Sequence, residues 1–155
     1  MGEGIANTIY FAYGSNMCPE QMAARCPGGP ALGRAELSDW RFLINTRTYA
    51  TIEPSPGAVT HGVLWSLTLR HITELDRYEA VVEGMYHKTS LIVQKAGDPV
   101  EALVYIDSVC ELGQPKPGYL QTILDGAANF ALPTEYIADL ARDWGEANAT
   151  SGPRE

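Results

Sequence analysis

The sequence predicts an α+β fold in which helices pack against one curled sheet of mixed or antiparallel strands. Most predicted strands are joined by loops of hairpin length, not by the regular helical crossovers of a doubly wound sheet. Two helical segments, roughly 117–131 and 134–145, close the chain and are separated by Pro133. At 155 residues the chain is long enough for one domain with a substantial core. We expect residues 1–147 to form that domain and residues 148–155 to form a flexible polar tail.

The composition argues against several classes of function. Lys and Arg number 11 against 19 Asp and Glu, which gives a formal net charge of −8, and the basic residues form no run. Such a chain is a poor candidate for binding nucleic acid or an anionic membrane surface. No apolar stretch approaches the roughly 20 residues of a membrane-spanning helix, and the N-terminus lacks the basic flank of a secretion signal. We therefore expect a cytoplasmic protein.

The cysteines and histidines predict neither a disulfide framework nor a metal site. The three cysteines, Cys18, Cys26 and Cys110, are odd in number and include no Cys-x-x-Cys pair. Cys18 and Cys26 flank a predicted helix and lie too far apart along its axis to form a disulfide. The three histidines fall in separate elements without the spacing of metal ligands.

The first element combines a buried strand with a polar turn and a helix. Residues 9–13 are all apolar or aromatic, which is typical of a buried strand. Gly14, Ser15 and Asn16 suit a sharp turn, and Pro19 suits the first turn of a helix. Such a connection directs backbone N–H groups at one spot, where anionic or carbonyl oxygens can bind, and its glycine allows close approach of a ligand. An ordinary strand–turn–helix connection without a ligand remains the alternative.

The next segments are predicted as strands and one helix. Residues 26–30, which contain two prolines and two glycines, are expected to end the first helix, and residues 31–45 are predicted to be extended. The segments that follow are a loop rich in Thr, Pro and Ser at 46–57, a strand at 59–67, a helix from 69 to about 81, and strands at 86–94 and 101–109. The last two strands are joined by a turn at 96–99 and are predicted to form a hairpin.

The helix that begins at Leu69 carries a carboxylate on its apolar face. At 100° per residue, Glu79 lies at the centre of an apolar arc that is expected to face the core. The apolar members of this arc are Leu69, Ile72, Leu75 and Val82. Burial raises the pKa of a carboxyl group, which is how a protein obtains a general base that works near neutral pH. Two other interpretations stay open: the helix ends before Glu79 and the side chain reaches water, or an arginine pairs with it.

The other candidates for chemistry are weaker. Asp76 lies about 60° from the centre of the apolar arc, Glu83 lies where the helix should have ended, and Glu53 lies in a proline-rich loop. Ser15 lacks both a Gly-x-Ser-x-Gly motif and a neighbouring histidine. Cys18 remains an alternative nucleophile, since a thiol at a helix N-terminus has a lowered pKa.

Several motifs of the chain resemble those of the γ-glutamylcyclotransferases. The family signature Tyr-Phe-Ala-Tyr-Gly-Ser-Asn stands at residues 10–16, and the segment Leu-Asp-x-x-Glu-Gly-Val, which carries the catalytic glutamate of the family, is similar to residues 75–81. Further similar segments lie at 50–52, 55–57, 84–86, 117–119 and 132–136. The resemblance therefore runs, in order, from residue 10 to about residue 140.

This resemblance implies a small mixed, barrel-like sheet with flanking helices and a cavity at the 14–16 loop. It implies conversion of an L-γ-glutamyl-amino acid to 5-oxo-L-proline and a free amino acid, with Glu79 as general base and acid and with no cofactor. The residues that it implies for substrate binding are Tyr10, Phe11, Ala12, Tyr13, Gly14, Ser15, Asn16, Met17, Tyr86 and Tyr119. The expected partner is the small γ-glutamyl substrate; the oligomeric state is left open, with a homodimer as one alternative.

Departures from the family pattern leave the exact substrate open. Ala80 stands where the family has glycine, Met17 stands where it has leucine, and the tract at 46–53 is shorter than in the animal enzymes. One alternative is a cyclotransferase that acts on a γ-glutamylamine or on a tethered γ-glutamyl group. An alternative of another class is a non-catalytic module on the same fold that binds small carboxylates.

The implied reaction suits the residues that the sequence singles out. The α-amine of the substrate attacks its own γ-amide carbonyl, and good intramolecular orientation supplies ~7–11 kcal/mol. Because the amine is mostly protonated at pH 7 and the leaving amine is poor, a carboxylate with a raised pKa at Glu79 would accept the ammonium proton and return it to the leaving nitrogen. The backbone N–H groups of residues 13–16 would bind either the substrate carboxylate or the developing oxyanion.

Overall fold

A computed structural model of the protein, which describes residues 7–79 and 84–145, consists of a five-stranded barrel with four helices. The strands are β1 (Thr8–Ala12), β2 (Ala31–Ile44), β3 (Ala50–Leu67), β4 (His87–Lys95) and β5 (Asp98–Ile106). The helices are α1 (Pro19–Arg25), α2 (Leu69–Tyr78), α3 (Tyr119–Asn129) and α4 (Thr134–Trp144), and a 3₁₀ turn spans Ser15–Met17. The predicted α+β class, the first strand–turn–helix unit and the final helix pair are confirmed. The predicted tail lies outside the described residues.

The barrel closes through its first strand. In the order β1-β3-β2-β4-β5, β1 pairs antiparallel with β3, from Thr8 opposite Leu67 to Ala12 opposite Val63. On its other side β1 pairs in parallel with β5, where Tyr10 lies opposite Leu103. The remaining pairs are antiparallel, including the predicted β4–β5 hairpin. The sheet is therefore mixed and barrel-like, as the resemblance implies.

Strand β3 begins earlier than the sequence predicts. The expectation of a loop across 46–57 is wrong for residues 50–57, because the β2–β3 ladder continues to the pair Ile44 and Ala50. The prolines of this tract lie near a register shift of the ladder, where a missing N–H costs little. At that shift Asp39 adopts a φ of 69°, and its Oδ1 accepts a hydrogen bond of 2.9 Å from the Gly57 N–H.

Helix α2 begins at a capping box and ends at Glu79. Thr68 caps the helix: its hydroxyl accepts from the His71 N–H, and the His71 ring accepts from the Thr68 N–H, both at 3.2 Å. The sequence interpretation gave no role to His71, so its part in this cap is a new finding. The helix ends at Tyr78, so the expectation that it continues to about residue 81 is not met within the described residues, and Glu79 is its C-terminal cap.

The apolar face of α2 is narrower than its sequence predicts. Ile72 and Leu75 are buried against the barrel, as expected. Leu69 is 73 % exposed, so the expectation that it faces the core is wrong: it is the first residue of the helix and lies beyond the edge of the packed surface. Val82 lies outside the described residues.

Helix α3 packs directly on the backbone of the 3₁₀ turn. A Cβ atom at Gly126 would lie 2.6 Å from the Met17 carbonyl carbon and 2.7 Å from the Cys18 nitrogen. Only a glycine permits this approach. The contact fixes α3, and with it Tyr119 at its first position, relative to the loop at residues 14–16.

Three further features of the described residues concern the cysteines, the metal-ligating side chains and the length of the helices. Cys18, Cys26 and Cys110 are all free. In residues 7–79 and 84–145, no group of three His, Cys, Asp or Glu side chains is placed to hold a metal ion. None of the helices in those residues has the length and apolarity needed to cross a membrane.

Candidate active site

A cavity of about 500 Å³ opens where the 3₁₀ turn, the start of β3, the end of α2 and the start of α3 meet. Glu79 lines this cavity, together with seven of the ten residues predicted for substrate binding: Tyr10, Tyr13, Gly14, Ser15, Asn16, Tyr86 and Tyr119. The other three, Phe11, Ala12 and Met17, are buried in the core behind the cavity wall. They support the wall and do not line the cavity.

Glu79 is a partly buried carboxylate with few polar partners. Burial raises its pKa to about 7, against the opposing effect of the nearby Arg25 charge. The Asn16 Nδ2 donates to Glu79 Oε2 at 3.4 Å. Among the described residues no Lys or Arg nitrogen lies within 4.0 Å of the carboxylate. Helix α2 thus ends before Glu79, as one of the two alternative interpretations held, but the side chain faces the cavity. The other alternative, an ion pair with an arginine, is not found among the described residues.

Asn16 is held in one orientation by its neighbours. Its Oδ1 accepts hydrogen bonds of 2.9 Å from Gln21 Nε2 and from Arg25 Nη1. Its Nδ2 therefore points the other way, towards the Tyr10 hydroxyl at 3.0 Å and towards Glu79. The loop and α1 together present one oriented N–H donor to the carboxylate.

Tyrosine hydroxyls form most of the remaining polar wall. Ala50 is held on both sides, because its carbonyl accepts from the Tyr86 hydroxyl at 2.6 Å and its N–H donates to the Tyr119 hydroxyl at 3.0 Å. The Tyr13 hydroxyl donates to the Tyr105 carbonyl at 2.5 Å. Burial, assisted by the charge of Glu79, raises the pKa of Tyr13, Tyr86 and Tyr119. These hydroxyls therefore stay protonated and neutral at physiological pH.

Gly14 lies in close contact with the start of β3 and the start of α3. Its φ of −114° is open to any residue. A Cβ atom at this position would lie 3.2 Å from the Ala50 Cβ and 3.4 Å from the Tyr119 hydroxyl. Glycine therefore keeps the loop, the start of β3 and the start of α3 in contact at the cavity floor.

Two backbone N–H groups of the 3₁₀ turn, in residues that line the cavity, have no acceptor among the described residues. The N–H groups of Met17 and Cys18 bond back to the Gly14 and Ser15 carbonyls at 3.1 and 3.0 Å. In the hydrogen bonds among the described residues, the N–H groups of Ser15 and Asn16 have no acceptor. They are the donors of this loop that a bound oxygen could use.

Several lining residues were missed by the sequence interpretation, among them Gln21, Arg25, Tyr49 and Lys116. Gln21 and Arg25 lie four residues apart on α1, directly after the loop, so helical spacing could have placed both on the face next to Asn16. Tyr49 and Lys116 lie in connecting segments, where no periodicity indicates their position. The Lys116 Nζ donates to the Tyr49 hydroxyl at 3.0 Å and lies 4.7 Å from the centre of its ring.

The alternative nucleophiles have structural partners instead. Ser15 Oγ accepts from Gln21 Nε2 at 2.6 Å, and no histidine is among the described residues that line the cavity. The Cys18 thiol donates to Glu20 Oε1 at 3.2 Å and does not line the cavity. Asp76 accepts from the Tyr105 hydroxyl at 2.7 Å and from Lys88 Nζ at 3.0 Å. Glu79 is thus the carboxylate that the described cavity presents to a ligand.

Comparison with known proteins shows which family the chain is similar to. The sequence model of the AIG2-like family matches residues 60–140. The human and bovine proteins named gamma-glutamylcyclotransferase are 31 % and 32 % identical to this chain over 139 residues, which is 83 % of the chain and 74 % of each relative. A solved structure named gamma-glutamyl cyclotransferase, 30 % identical, superposes with a TM-score of 0.81 over 86 % of each chain.

Proposed function

The chain belongs to the AIG2-like family and is an enzyme of the γ-glutamylcyclotransferase type, and on that premise we propose that it converts an L-γ-glutamyl-amino acid to 5-oxo-L-proline and a free amino acid. The observation that carries this proposal is Glu79, a carboxyl group with a pKa of about 7 in a cavity walled by neutral hydroxyls. A cytoplasmic location and a small-molecule partner are part of the same proposal.

The first half of the reaction is activation of the substrate amine. The α-ammonium group transfers a proton to the Glu79 carboxylate, and the free amine attacks the γ-amide carbon to form the new C–N bond. A carboxyl group with a pKa near 7 is ionised often enough to take this proton and holds it well enough to return it. The negative charge that develops on the amide oxygen needs donors that are already in place.

The second half is departure of the amino acid. Glu79 gives its proton to the leaving nitrogen, and the original amide C–N bond breaks. Glu79 then takes the second proton that the new lactam nitrogen must lose and passes it to the released amine, which leaves as an ammonium group, and the carboxylate is restored. No water is consumed, and no covalent bond to the enzyme forms. The enzyme mainly folds the substrate so that its amine faces its γ-carbonyl, a contribution worth ~7–11 kcal/mol when the geometry is good.

The donors at the loop suit the glutamyl half of the substrate. The free N–H groups of Ser15 and Asn16 would hold its α-carboxylate or the developing oxyanion. Tyr119, whose hydroxyl lies beside Gly14 and Ala50, would lie against the same half. The leaving amino acid then extends towards the mouth of the cavity.

The proposal is tested by product analysis with a panel of γ-glutamyl compounds. We expect 5-oxoproline from γ-glutamyl-alanine and none from its N-acetylated form, because an acetylated amine cannot attack. Glu79→Gln keeps the shape of the side chain but removes the base, so we expect a loss of at least about 100-fold in kcat, the usual contribution of a general base. Substrate binding should change much less. Glu74→Gln, on the exposed side of α2, is the matched control and should retain activity.

Two results would contradict the proposal. Release of alanine from the N-acetylated compound would indicate hydrolysis by water or by an enzyme nucleophile. Near wild-type turnover by the Glu79→Gln protein would remove Glu79 from the mechanism.

A further inference from the structure

Two cations, Arg25 and Lys116, line the cavity of this acidic protein. In the described residues, five Lys or Arg side chains form ion pairs with carboxylates: Arg41, Arg47, Arg77, Lys88 and Arg142. Five others form no such pair within those residues: Arg25 and Lys116 line the cavity, and Arg34, Arg70 and Lys95 lie outside it. With a net charge of −8 on the whole chain, two cations without a carboxylate partner at one cavity mark a preference for anionic groups there.

The two cations are held differently. Arg25 lies on the inner side, where it bonds to Asn16 and its guanidinium stacks 4.5 Å from the centre of the Tyr78 ring. Lys116 is exposed, and its contacts are with the neutral Tyr49 hydroxyl and the face of that ring. Its ammonium group has three donors, of which this arrangement uses one. Lys116 is therefore the cation that is free to contact a charged group entering the cavity.

The backbone at Lys116 is held rigidly. Pro115 and Pro117 flank the residue, and a proline restricts both its own φ and the conformation of the residue before it. The Lys116 carbonyl accepts a hydrogen bond of 3.1 Å from the Tyr119 N–H at the start of α3. The base of the lysine side chain is thus tied to the same helix start that contacts the loop.

A row of contacts connects Lys116 to the inner cavity. Its ammonium group contacts Tyr49, whose ring meets the Tyr119 ring edge to face at 5.4 Å. The Tyr119 hydroxyl lies beside Gly14, in the wall that also contains Glu79. A substrate whose amine is at Glu79 and whose leaving group points outwards would run along this row and end at Lys116.

The charges of the cavity match one class of substrate. A γ-glutamyl-amino acid carries one ammonium group and two carboxylates, and the cavity presents one carboxylate and two cations. A γ-glutamylamine lacks the second carboxylate. On the basis of the proposed function, we infer that Lys116 binds the carboxylate of the leaving amino acid and selects γ-glutamyl-amino acids over γ-glutamylamines.

The test compares γ-glutamyl-alanine with γ-glutamyl-alaninamide, which has nearly the same shape but no charge on the leaving group. We expect the wild-type protein to favour the acid by about fivefold in kcat/KM through a lower KM, as suits an ion pair at a cavity mouth. In Lys116→Gln this preference should disappear, so that the kcat/KM values of the two compounds become equal. The change should come from a higher KM for the acid and not from kcat. Lys116→Arg should keep most of the preference, and added salt should weaken it only while residue 116 is charged.

Lys95→Gln is the matched control, since Lys95 does not line the cavity, and it should leave both KM values unchanged. Equal loss on both compounds in Lys116→Gln would place Lys116 on the glutamyl half and overturn the inference. Equal kcat/KM for both compounds in the wild-type protein would overturn it as well, while the proposed function would stand. No 5-oxoproline from either compound would overturn the proposed function and this inference with it.

Discussion

Asn16 connects the loop, helix α1 and the proposed base through a single amide group. Its oxygen is taken by Gln21 and Arg25, so its NH₂ group must face Tyr10 and Glu79. A donor to the ionised carboxylate favours ionisation, whereas burial opposes it. The pKa of about 7 at Glu79 is the balance between burial, which raises it, and the opposing charge of Arg25.

This balance predicts how Arg25 controls the pH dependence of the enzyme. The base must be ionised, so kcat/KM should rise with pH through the pKa of Glu79, near 7. Because the Arg25 charge lowers that pKa, Arg25→Met should raise it and move the acidic limb to higher pH. Arg25→Lys keeps the charge and should leave the limb near its wild-type position. Measuring kcat/KM from pH 5 to 9 for the three proteins checks this, and a limb that moves to lower pH in Arg25→Met would contradict it.

At the scale of elements, the contact between α3 and the 3₁₀ turn sets the floor of the cavity. A methyl group at Gly126 would lie 2.6 Å from backbone atoms that cannot rotate away. Gly126→Ala should therefore push α3 outwards and cost about 1–3 kcal/mol in the free energy of unfolding, despite the better helix propensity of alanine. Because Tyr119 begins the same helix, KM should rise as well.

The control for this prediction lies on the same helix. Ala128 is exposed, and Ala128→Ser should leave both the melting temperature and KM nearly unchanged. Thermal unfolding and steady-state kinetics measure both effects. A Gly126→Ala protein with wild-type stability and KM would contradict the prediction, because it would show that a methyl group fits between α3 and the turn.

The elements that the sequence predicts well are those fixed by neighbouring residues. The strand, turn and helix at residues 8–25 follow from local apolar runs, a Gly-Ser-Asn turn and one proline. The start of β3 could not be predicted in this way, because residues 50–57 owe their extended form to pairing with β2 and their proline content is typical of loops. Likewise, the exposure of Leu69 depends on where the packed surface ends, which helical periodicity does not indicate.

In the candidate site, too, the features that local sequence determines were predicted, and those that depend on tertiary structure were not. Helical spacing placed Glu79 towards the interior, and the turn chemistry identified the loop of residues 14–16. Tyr49 and Lys116 reach the cavity only through the three-dimensional course of two connecting segments. Phe11, Ala12 and Met17 belong to the matching motif, but their side chains are buried in the core, and the sequence pattern does not distinguish them from the residues that line the cavity.

At the scale of the whole molecule, the cavity is assembled from segments that are distant in the chain. The loop at 14, the strand start at 50, the helix end at 79 and the helix start at 119 meet there, and all pack on one core. We therefore expect one cooperative transition in urea, in which activity, tryptophan fluorescence and circular dichroism are lost at the same midpoint. Loss of activity at a clearly lower urea concentration would show that the site opens before the core unfolds.

Strand β1, which closes the barrel, also affects the tendency of the protein to aggregate. Because β1 lies between β3 and β5, every strand of the barrel has a neighbour on both sides. An unpaired strand edge is a template for edge-to-edge aggregation, and a closed sheet removes it. Displacement of the five residues of β1 would uncover edges of β3 and β5 together. The short segment that carries Tyr10 to the cavity therefore also protects the folded chain from aggregating.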